Sequence, residues 1–200
     1  MIRQLIMATV LCVTGTVATT AAPTVQESDL LKHEQPNVTM FVFELYDPTT
    51  QALVSRKAEP LARPIEIRSD GSAVRVINGK VLQSYGLNIC PEKRVFYGGQ
   101  IESCKAAVAH SLRSDPYSVI LCRALNTPDD PLDADCYRIL REKLPDGSPV
   151  LGVISDDKNL VFGGFATVKD EKGIPMRPEL LEWQSLSKQQ RMGMYGLINP

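Results

Sequence analysis

Two groups of acidic residues are the clearest candidates for chemistry in this chain of 200 residues. They are Asp129, Asp130, Asp133 and Asp135, with Pro131 among them, and the adjacent pair Asp156 and Asp157. Carboxylate oxygens are the ligands that Ca²⁺ prefers, so a calcium loop is one interpretation. Neither group has the ligand spacing of an EF-hand, and we therefore expect both to be solvated acidic loops.

Other reactive side chains form no catalytic pattern. The serines and the two histidines, His33 and His110, show neither a nucleophile elbow nor a triad signature. The formal net charge is −1 and the sequence pI is near 6.1. Nucleic-acid-binding domains usually have a basic face and a pI above about 9, so the composition gives no strong nucleic-acid signature.

The first 22 residues have the pattern of a secretory signal. Arg3 precedes an apolar run over residues 5–17, and small residues follow at positions 18–22. A membrane anchor needs about 20 apolar residues, and this run is shorter. We expect cleavage after Ala21 or Ala22 and export to the periplasm or the medium. No later segment is apolar enough to predict a transmembrane helix in the mature chain.

Cysteine content agrees with export. One of the five cysteines lies in the signal, and the remaining four are Cys90, Cys104, Cys122 and Cys136. An even number in an exported chain indicates disulfide bonds, for which three pairings are possible. No two of these cysteines have the close spacing of a zinc knuckle, and neither histidine lies near a cluster of them, so we expect no metal site.

The elements that would position these groups begin with a predicted hairpin. β-forming residues from Met40 to Tyr46 predict a strand that stops at the turn signal Asp47-Pro48. Residues 51–55 are its expected partner, and residues 59–64, with two prolines, are expected to form a connector. Residues 23–38 are polar and lack periodicity, so we expect a loose leader there.

A meander is predicted next. The turn dipeptides Asp70-Gly71 and Asn78-Gly79 separate three β-rich runs within residues 65–85. Such dipeptides are strong hairpin signals because their left-handed backbone matches the twist of the flanking strands. The pattern therefore predicts three antiparallel strands.

Helical spacing follows the meander. Four residues recur at that spacing: Ile101, Cys104, Val108 and Leu112. They predict an amphipathic helix over residues 101–113 with His110 facing solvent. Short strands are predicted at 118–122 and 150–154, with an acidic loop between them.

Several segments resemble the staphylococcal-nuclease-like (thermonuclease) family. Residues 69–73 are similar to the family's Asp-Gly-Asp-Thr turn, and residues 85–92 to its Tyr-Gly-Ile-Asp-Ala-Pro-Glu segment. Residues 160–166 match its Leu-Val-x-x-Gly-x-Ala helix end, and residues 187–195 resemble its C-terminal ending. The resemblance implies an α+β, mainly β fold, a five-stranded Greek-key barrel of the OB type with two or three packed helices.

The resemblance also divides the chain and implies its disulfides. Residues 1–22 would be the signal peptide, 23–64 a leader with a possible β-hairpin, and 65–200 the thermonuclease-like domain. Exported relatives carry sequential cysteine pairs, which implies the two disulfides Cys90–Cys104 and Cys122–Cys136.

Most of the family's catalytic positions fall on uncharged residues here. The two metal carboxylates correspond to Ser72 and Asn88, and the two phosphate-binding arginines to Gln83 and Ser148. Only Glu92, at the general-base position, keeps the family's residue type. A hard cation requires charged oxygen ligands, so the resemblance implies no cofactor here, and Ca²⁺ only if nuclease activity persists.

Loss of four charged groups predicts loss of turnover. Removing one group that stabilises transition-state charge typically costs about 10²- to 10³-fold in rate. The sequence therefore predicts an exported, catalytically degenerate domain, not an enzyme, that acts as a binding or structural module for a polymer or protein ligand in the cell envelope. One alternative is an active divalent-metal-dependent phosphodiesterase with relocated ligands. Another is an accessory factor in envelope polysaccharide assembly.

Overall fold

The computed structural model describes residues 25–68, 74–112, 118–143 and 147–197. The protein is mainly β with a few helices, which confirms the α+β, mainly β part of the predicted fold class. The strands are β1 Met40–Tyr46, β2 Leu53–Pro60, β3 Glu66–Ile67, β4 Arg75–Ile77, β5 Lys80–Gln83, β6 Leu87–Ile89, β7 Arg94–Tyr97, β8 Gln100–Ser103, β9 Val119–Leu125, β10 Leu132–Lys143, β11 Pro149–Ser155, β12 Ala166–Val168, β13 Asp170–Glu171 and β14 Ile174–Pro175. The helices are α1 Glu27–Leu31, α2 Cys104–Ser111, α3 Asp156–Phe162 and α4 Leu181–Gln189, with 3₁₀ turns at Pro178–Leu180 and Met194–Leu197.

Eight strands form the central sheet in the order β2-β1-β9-β10-β5-β4-β3, and β11 pairs with β10 outside this path. β1 lies parallel to β9, and β10 lies parallel to β5, whereas the other pairs are antiparallel. The strands at the two ends of the order, β2 and β3, do not pair within the described residues. The sheet is therefore open and does not close into a barrel.

The predicted N-terminal hairpin forms, and its first strand is almost fully buried. Its return strand is longer than expected, because the register continues through Phe41↔Glu59 to Met40↔Pro60. The start of the predicted connector, residues 59–60, is therefore strand. Proline is tolerated there because β2 is an edge strand and its missing N–H interrupts no second ladder.

The predicted meander is confirmed by the antiparallel strands β3, β4 and β5. Asn78 and Gly79 both have positive φ, at 47° and 79°, as the turn between β4 and β5 requires. The other predicted turn, at Asp70-Gly71, lies outside the described residues.

The predicted helix is shorter at its start than expected. α2 begins at Cys104, whose side chain is buried together with Val108 and Leu112. Ile101 belongs instead to β8, opposite Phe96, and is 51% exposed. Gly98 and Gly99, which both have positive φ, form the turn between β7 and β8. Residues 100–103 therefore form a strand of this hairpin and not the first turn of the helix.

The acidic loop expected between the strands at 118–122 and 150–154 is wrong in part. Both strands form, as β9 and β11, but a third strand, β10, lies between them and pairs with both. Asp133 and Asp135 belong to this strand. Leu132, Ala134 and Cys136 alternate with them, which is the period of two that a half-buried strand requires.

The disulfides join the chain as the resemblance implies. Cys90–Cys104 links the end of β6 to the start of α2, and Cys122–Cys136 joins directly opposed residues of β9 and β10. α2, α3 and α4 pack with β6 and β12 beside the central sheet, where they enclose an apolar core. Within the part of the chain that the structure describes, no helix has the length and apolar character needed to span a bilayer.

Candidate functional site

Asp156 and Asp157 begin helix α3, and both are buried, with exposed fractions of 1% and 0%. Ser155 caps this helix, since its hydroxyl accepts a hydrogen bond from the Lys158 amide at 3.2 Å. Carboxylates in a first helical turn also complement the helix dipole. The expectation that this pair lies in a solvated loop is therefore wrong.

Two arginines neutralise Asp156 inside the protein. Arg75 of β4 is fully buried, and its Nη1 donates to Asp156 Oδ2 at 3.0 Å. Arg138 of β10 donates from Nε to Asp156 Oδ1 at 2.7 Å. Arg75 also donates to Ser84 Oγ at 3.1 Å, which connects this pair to the end of β5.

Asp157 lies between the buried network and the surface. It accepts hydrogen bonds from Ser84 Oγ at 2.5 Å and from Arg177 Nη1 at 3.0 Å. Burial raises the pKa of Asp157 to about 7, and the charge of Asp135 adds to this shift, whereas Arg75 and Arg177 oppose it.

Arg177 connects this network to Asp135 on β10. Its Nη2 donates to Asp135 Oδ2 at 3.3 Å, and its Nε donates to Glu179. Asp135 also accepts from Tyr137 Oη at 2.8 Å and from Ser155 Oγ at 3.0 Å. Burial and the adjacent Asp135 carboxylate raise the pKa of Tyr137, so this hydroxyl remains a donor.

A cleft of about 880 Å³ opens above the Asp135–Arg177 pair. Its lining includes Ala124 of β9, Ala134 of β10 and three aromatic residues, Tyr85, Tyr137 and Trp183. Most ligand sites have volumes of about 300–1,000 Å³ and combine apolar walls with a few fixed polar groups. The cleft therefore has the size and the kind of lining that a ligand site requires.

The charges that line the cleft balance. Three acidic residues, Asp133, Asp135 and Glu179, face three basic ones, Arg123, Lys158 and Arg177. The basic groups have partners within the protein: Arg123 Nε donates to Glu44 Oε2 at 2.9 Å, and the Lys158 ammonium lies 3.6 Å from the centroid of the Trp183 ring. The cleft therefore offers no surplus of positive charge to a phosphate polymer.

The residues at the positions implied by the nuclease resemblance form no network like that of Asp135, Asp157 and Arg177. Gln83 donates to Asp133 Oδ1 at 2.8 Å, Asn88 is exposed on β6 opposite Thr167, and Glu92 is exposed in the turn after Cys90. Within the described residues, no hydrogen bond or ion pair joins Gln83, Asn88 and Glu92. Ser148 precedes β11, and Ser72 lies outside the described residues.

The residues at the family's metal positions do not suit a hard cation. Ser72 and Asn88 supply no negative charge, which such a cation requires of its oxygen ligands. Within residues 25–68, 74–112, 118–143 and 147–197, no group of three or more His, Cys, Asp or Glu residues could hold a metal ion.

No protein-family model matches this chain, and neither does any curated protein.

Sequence reasoning missed Arg75, Arg138, Arg177 and Tyr137 as site residues. The aspartate partners of the three arginines are distant in sequence, as the separation of 81 positions between Arg75 and Asp156 illustrates, whereas Tyr137 donates to Asp135 two residues away. One local signal was present: Ser155, Asp156 and Asp157 directly precede an apolar run, which is typical of a helix N-terminus with an acidic first turn.

Proposed function

We propose that this protein is an exported, thermonuclease-like domain that has lost nuclease chemistry and binds a ligand in the cleft above Asp135 and Arg177. The observation that carries the binding half is the cleft itself, because its polar groups are held in place before any ligand arrives. Such preorganisation lowers the entropic cost of binding. The disulfides Cys90–Cys104 and Cys122–Cys136 support an oxidising compartment outside the cytoplasm.

Strand order supports the thermonuclease-like, OB-type assignment. The meander β3-β4-β5 is followed in the sheet by β10 and then β9, so the fifth of these strands in sequence lies between the third and the fourth. A simple up-and-down meander does not produce this order, whereas a Greek-key connection does. Within residues 65–200, the described helices α2, α3 and α4 pack beside the sheet, which is compatible with the expected two or three, and α1 precedes this region.

Loss of charge at the inherited positions supports the degenerate assignment. Gln83 and Asn88 replace a cationic and an anionic residue of the family pattern, and neither can neutralise charge in a phosphoryl transition state. Glu92 retains its carboxylate but is exposed and has no ion-pair partner among the described residues. A base without a metal or a phosphate clamp supplies one part of a mechanism that requires three.

A nuclease assay tests the degenerate half. Purified mature protein is incubated with single-stranded DNA and with RNA, in 5 mM Ca²⁺ or in a chelator, at about 10 µM enzyme. We expect no cleavage above a buffer control in any arm. Robust calcium-dependent cleavage that Glu92→Gln abolishes would overturn the proposal in favour of an active phosphodiesterase.

A binding assay tests the other half with three polymers of different charge. Oligo-dT, dextran and oligolysine are titrated into ¹⁵N-labelled protein, and the amide shifts of the lining residues Ala124 and Ala134 report on the cleft. At least one probe should give saturable shifts that Tyr85→Ala weakens and Ile101→Ala does not. Ile101 is as exposed as Tyr85 but lies outside the cleft. If no probe shifts these amides, the binding role is wrong.

A further inference from the structure

Two charged residues of the cleft, Arg177 and Asp135, already make hydrogen bonds within the protein. Arg177 uses its Nε, Nη1 and Nη2 atoms on Glu179, Asp157 and Asp135. Asp135 accepts from three donors, so it too is largely occupied. The groups already engaged therefore include the cleft's central cation and its central anion.

Two carboxylates of the cleft retain an unused oxygen. Asp133 Oδ1 accepts from Gln83, and within the described residues Asp133 Oδ2 has no partner. Glu179 Oε1 accepts from Arg177, whereas Oε2 has none, and the side chain is 58% exposed. Asp133 and Asp135 are two residues apart on β10, so both side chains point to the cleft face of the strand. Both free oxygens carry negative charge and can only accept.

An exposed aromatic ring lies beside these carboxylates. Tyr85 lines the same cleft and is 46% exposed, and its backbone carbonyl accepts from Arg177 Nη1 at 3.4 Å. Tyr85 and Glu179 thus both accept hydrogen bonds from Arg177, and both line the cleft. The face of an aromatic ring attracts cations through its quadrupole.

The cleft already binds two cations that belong to the chain itself. The Lys158 ammonium lies over the Trp183 ring, and the Arg177 guanidinium lies among carboxylates. These contacts show both modes of cation recognition in the lining, one aromatic and one ionic. Asp133 and Tyr85 repeat the same two kinds of group, and within the described residues neither binds a cation of the chain, whereas Glu179 binds Arg177 through Oε1 alone.

We propose that the ligand of this cleft carries ammonium or guanidinium groups, and that Asp133, Glu179 and Tyr85 bind them. This inference rests on the proposed binding function and narrows it to a basic, extended ligand such as a lysine- or arginine-rich peptide segment. A volume of about 880 Å³ accommodates several side chains of such a segment. A polyanion would find the Arg177 guanidinium already engaged and would meet the open oxygens of Asp133 and Glu179.

The test uses matched peptides and reads the amide shifts of Ala134 and Val153 in the cleft. Pentalysine and penta-arginine should give saturable shifts that weaken as salt rises, whereas pentalysine acetylated on every Nζ should bind at least about tenfold more weakly. Spermidine, a cation without a peptide backbone, distinguishes a small polyamine from a peptide as the source of the charge. Equal binding of the acetylated and free peptides would overturn the inference.

Variants of the protein locate the contact. Asp133→Asn keeps the oxygen that accepts from Gln83, and Glu179→Gln keeps the one that accepts from Arg177, so both should preserve the fold. Each should weaken pentalysine binding about three- to tenfold, as expected for one charged contact. Glu171→Gln is the matched control, because Glu171 is exposed on β13, outside the cleft. Equal weakening by this control would show a general charge effect and contradict the assignment.

The outcomes separate the two proposals. If dextran or oligo-dT shifts the cleft amides and the cationic peptides do not, the binding function stands and the ligand class is wrong. If none of these probes shifts the cleft amides, both are wrong.

Discussion

Arg75 has no access to solvent, and its guanidinium donates to Asp156, Ser84 and the carbonyl of Ala134. Replacement by Met would leave two buried aspartates with one cation fewer. Breaking a buried ion pair by removing one partner typically costs about 3–5 kcal/mol, and we expect Arg75→Met to lower the free energy of unfolding by that amount. Urea denaturation measures it.

Arg63→Met is the matched control for this prediction, because Arg63 is exposed. Exposed substitutions usually change stability by less than about 0.5 kcal/mol. Similar midpoints for Arg75→Met and the wild type would show that the buried network contributes little to stability.

Asp157 gives the stability a distinctive pH dependence. Burial raises its pKa to about 7 in the folded protein, whereas an unfolded aspartate titrates near 3.9. Between these values the folded chain binds a proton that the unfolded chain does not. The free energy of unfolding should therefore fall as pH rises from about 4 to about 7, by at most about 1.4 kcal/mol per pH unit, and then level off.

Asp157→Asn removes this titration. Urea denaturation of both proteins between pH 4.5 and pH 8 yields the difference in unfolding free energy between wild type and variant, in which the other titrating groups cancel. The unfolding free energy of the wild type should fall progressively relative to that of the variant as the pH rises toward 7. A difference that stays constant across this range, or that grows with pH, is incompatible with a raised pKa at Asp157.

Composition and spacing could identify the acidic residues of the site but not their surroundings. The rule that acidic clusters are solvated failed for Asp156 and Asp157 because three arginines from distant parts of the chain converge on them. Each of these contacts depends on tertiary structure, to which no local pattern is sensitive. The cap signal at Ser155 could have placed the pair at a helix start, although not in the interior.

Gly164 and Gly193 bring the end of α3 into contact with the C-terminal segment. Gly164 has φ +69°, and an added Cβ would lie 2.3 Å from the carbonyl oxygen of Met192. The Met194 amide donates to the Gly164 carbonyl at 3.0 Å, so neither backbone can retreat without loss of a hydrogen bond. Both glycines lie in segments that resemble the thermonuclease family, and the structure shows that they touch.

Gly164→Ala should destabilise the protein by about 3 kcal/mol, because left-handed backbone strain and overpacking act together. Gly173→Ala isolates the strain, since Gly173 has φ +84° and nothing within 4 Å of an added Cβ. We expect this control to cost about 1–2 kcal/mol. Thermal denaturation compares the two variants. Equal losses of stability would mean that the segments around Gly164 and Met192 can move apart to accommodate a methyl group.

Elements were predictable where turn chemistry marks their ends. Asn78-Gly79 correctly separated two strands, since positive φ at both residues suits few other sequences. β10 was missed because Asp133 and Asp135 made its sequence look like a loop, although the apolar residues between them kept the period of a strand. Ile101 matched the helical period by coincidence. It belongs to strand β8 because the Gly98-Gly99 turn before it starts a hairpin strand.

At the scale of the whole molecule, the thermonuclease resemblance makes a prediction about calcium. A ligand that binds the native state alone stabilises it by RT ln(1 + [L]/Kd). Since Ser72 and Asn88 supply no charge, 5 mM Ca²⁺ should raise the melting temperature of the wild type by less than about 1 °C. Differential scanning fluorimetry with and without the ion measures this shift.

A variant with restored charges tests the register of the resemblance. Ser72→Asp, Gln83→Arg, Asn88→Asp and Ser148→Arg together should produce a calcium-dependent rise of several degrees in the melting temperature. The matched control keeps both arginines and carries the two aspartates at the exposed positions Asn126 and Gln190. A rise in the control alone, or in neither protein, would show that these positions do not correspond to the family's metal ligands.

The parallel pairing of β1 with β9 has a consequence for the solubility of shorter chains. Without residues 40–60, the backbone of β9 would lose the neighbour that occupies its N–H and C=O groups along Met40↔Val119 to Tyr46↔Leu125. The sequence of β9 begins Val-Ile-Leu-Cys, and apolar β-rich edges of this kind template intermolecular sheets. The N-terminal hairpin therefore protects β9 from pairing with other chains. A chain that starts at residue 65 should precipitate under conditions in which the full protein remains in solution.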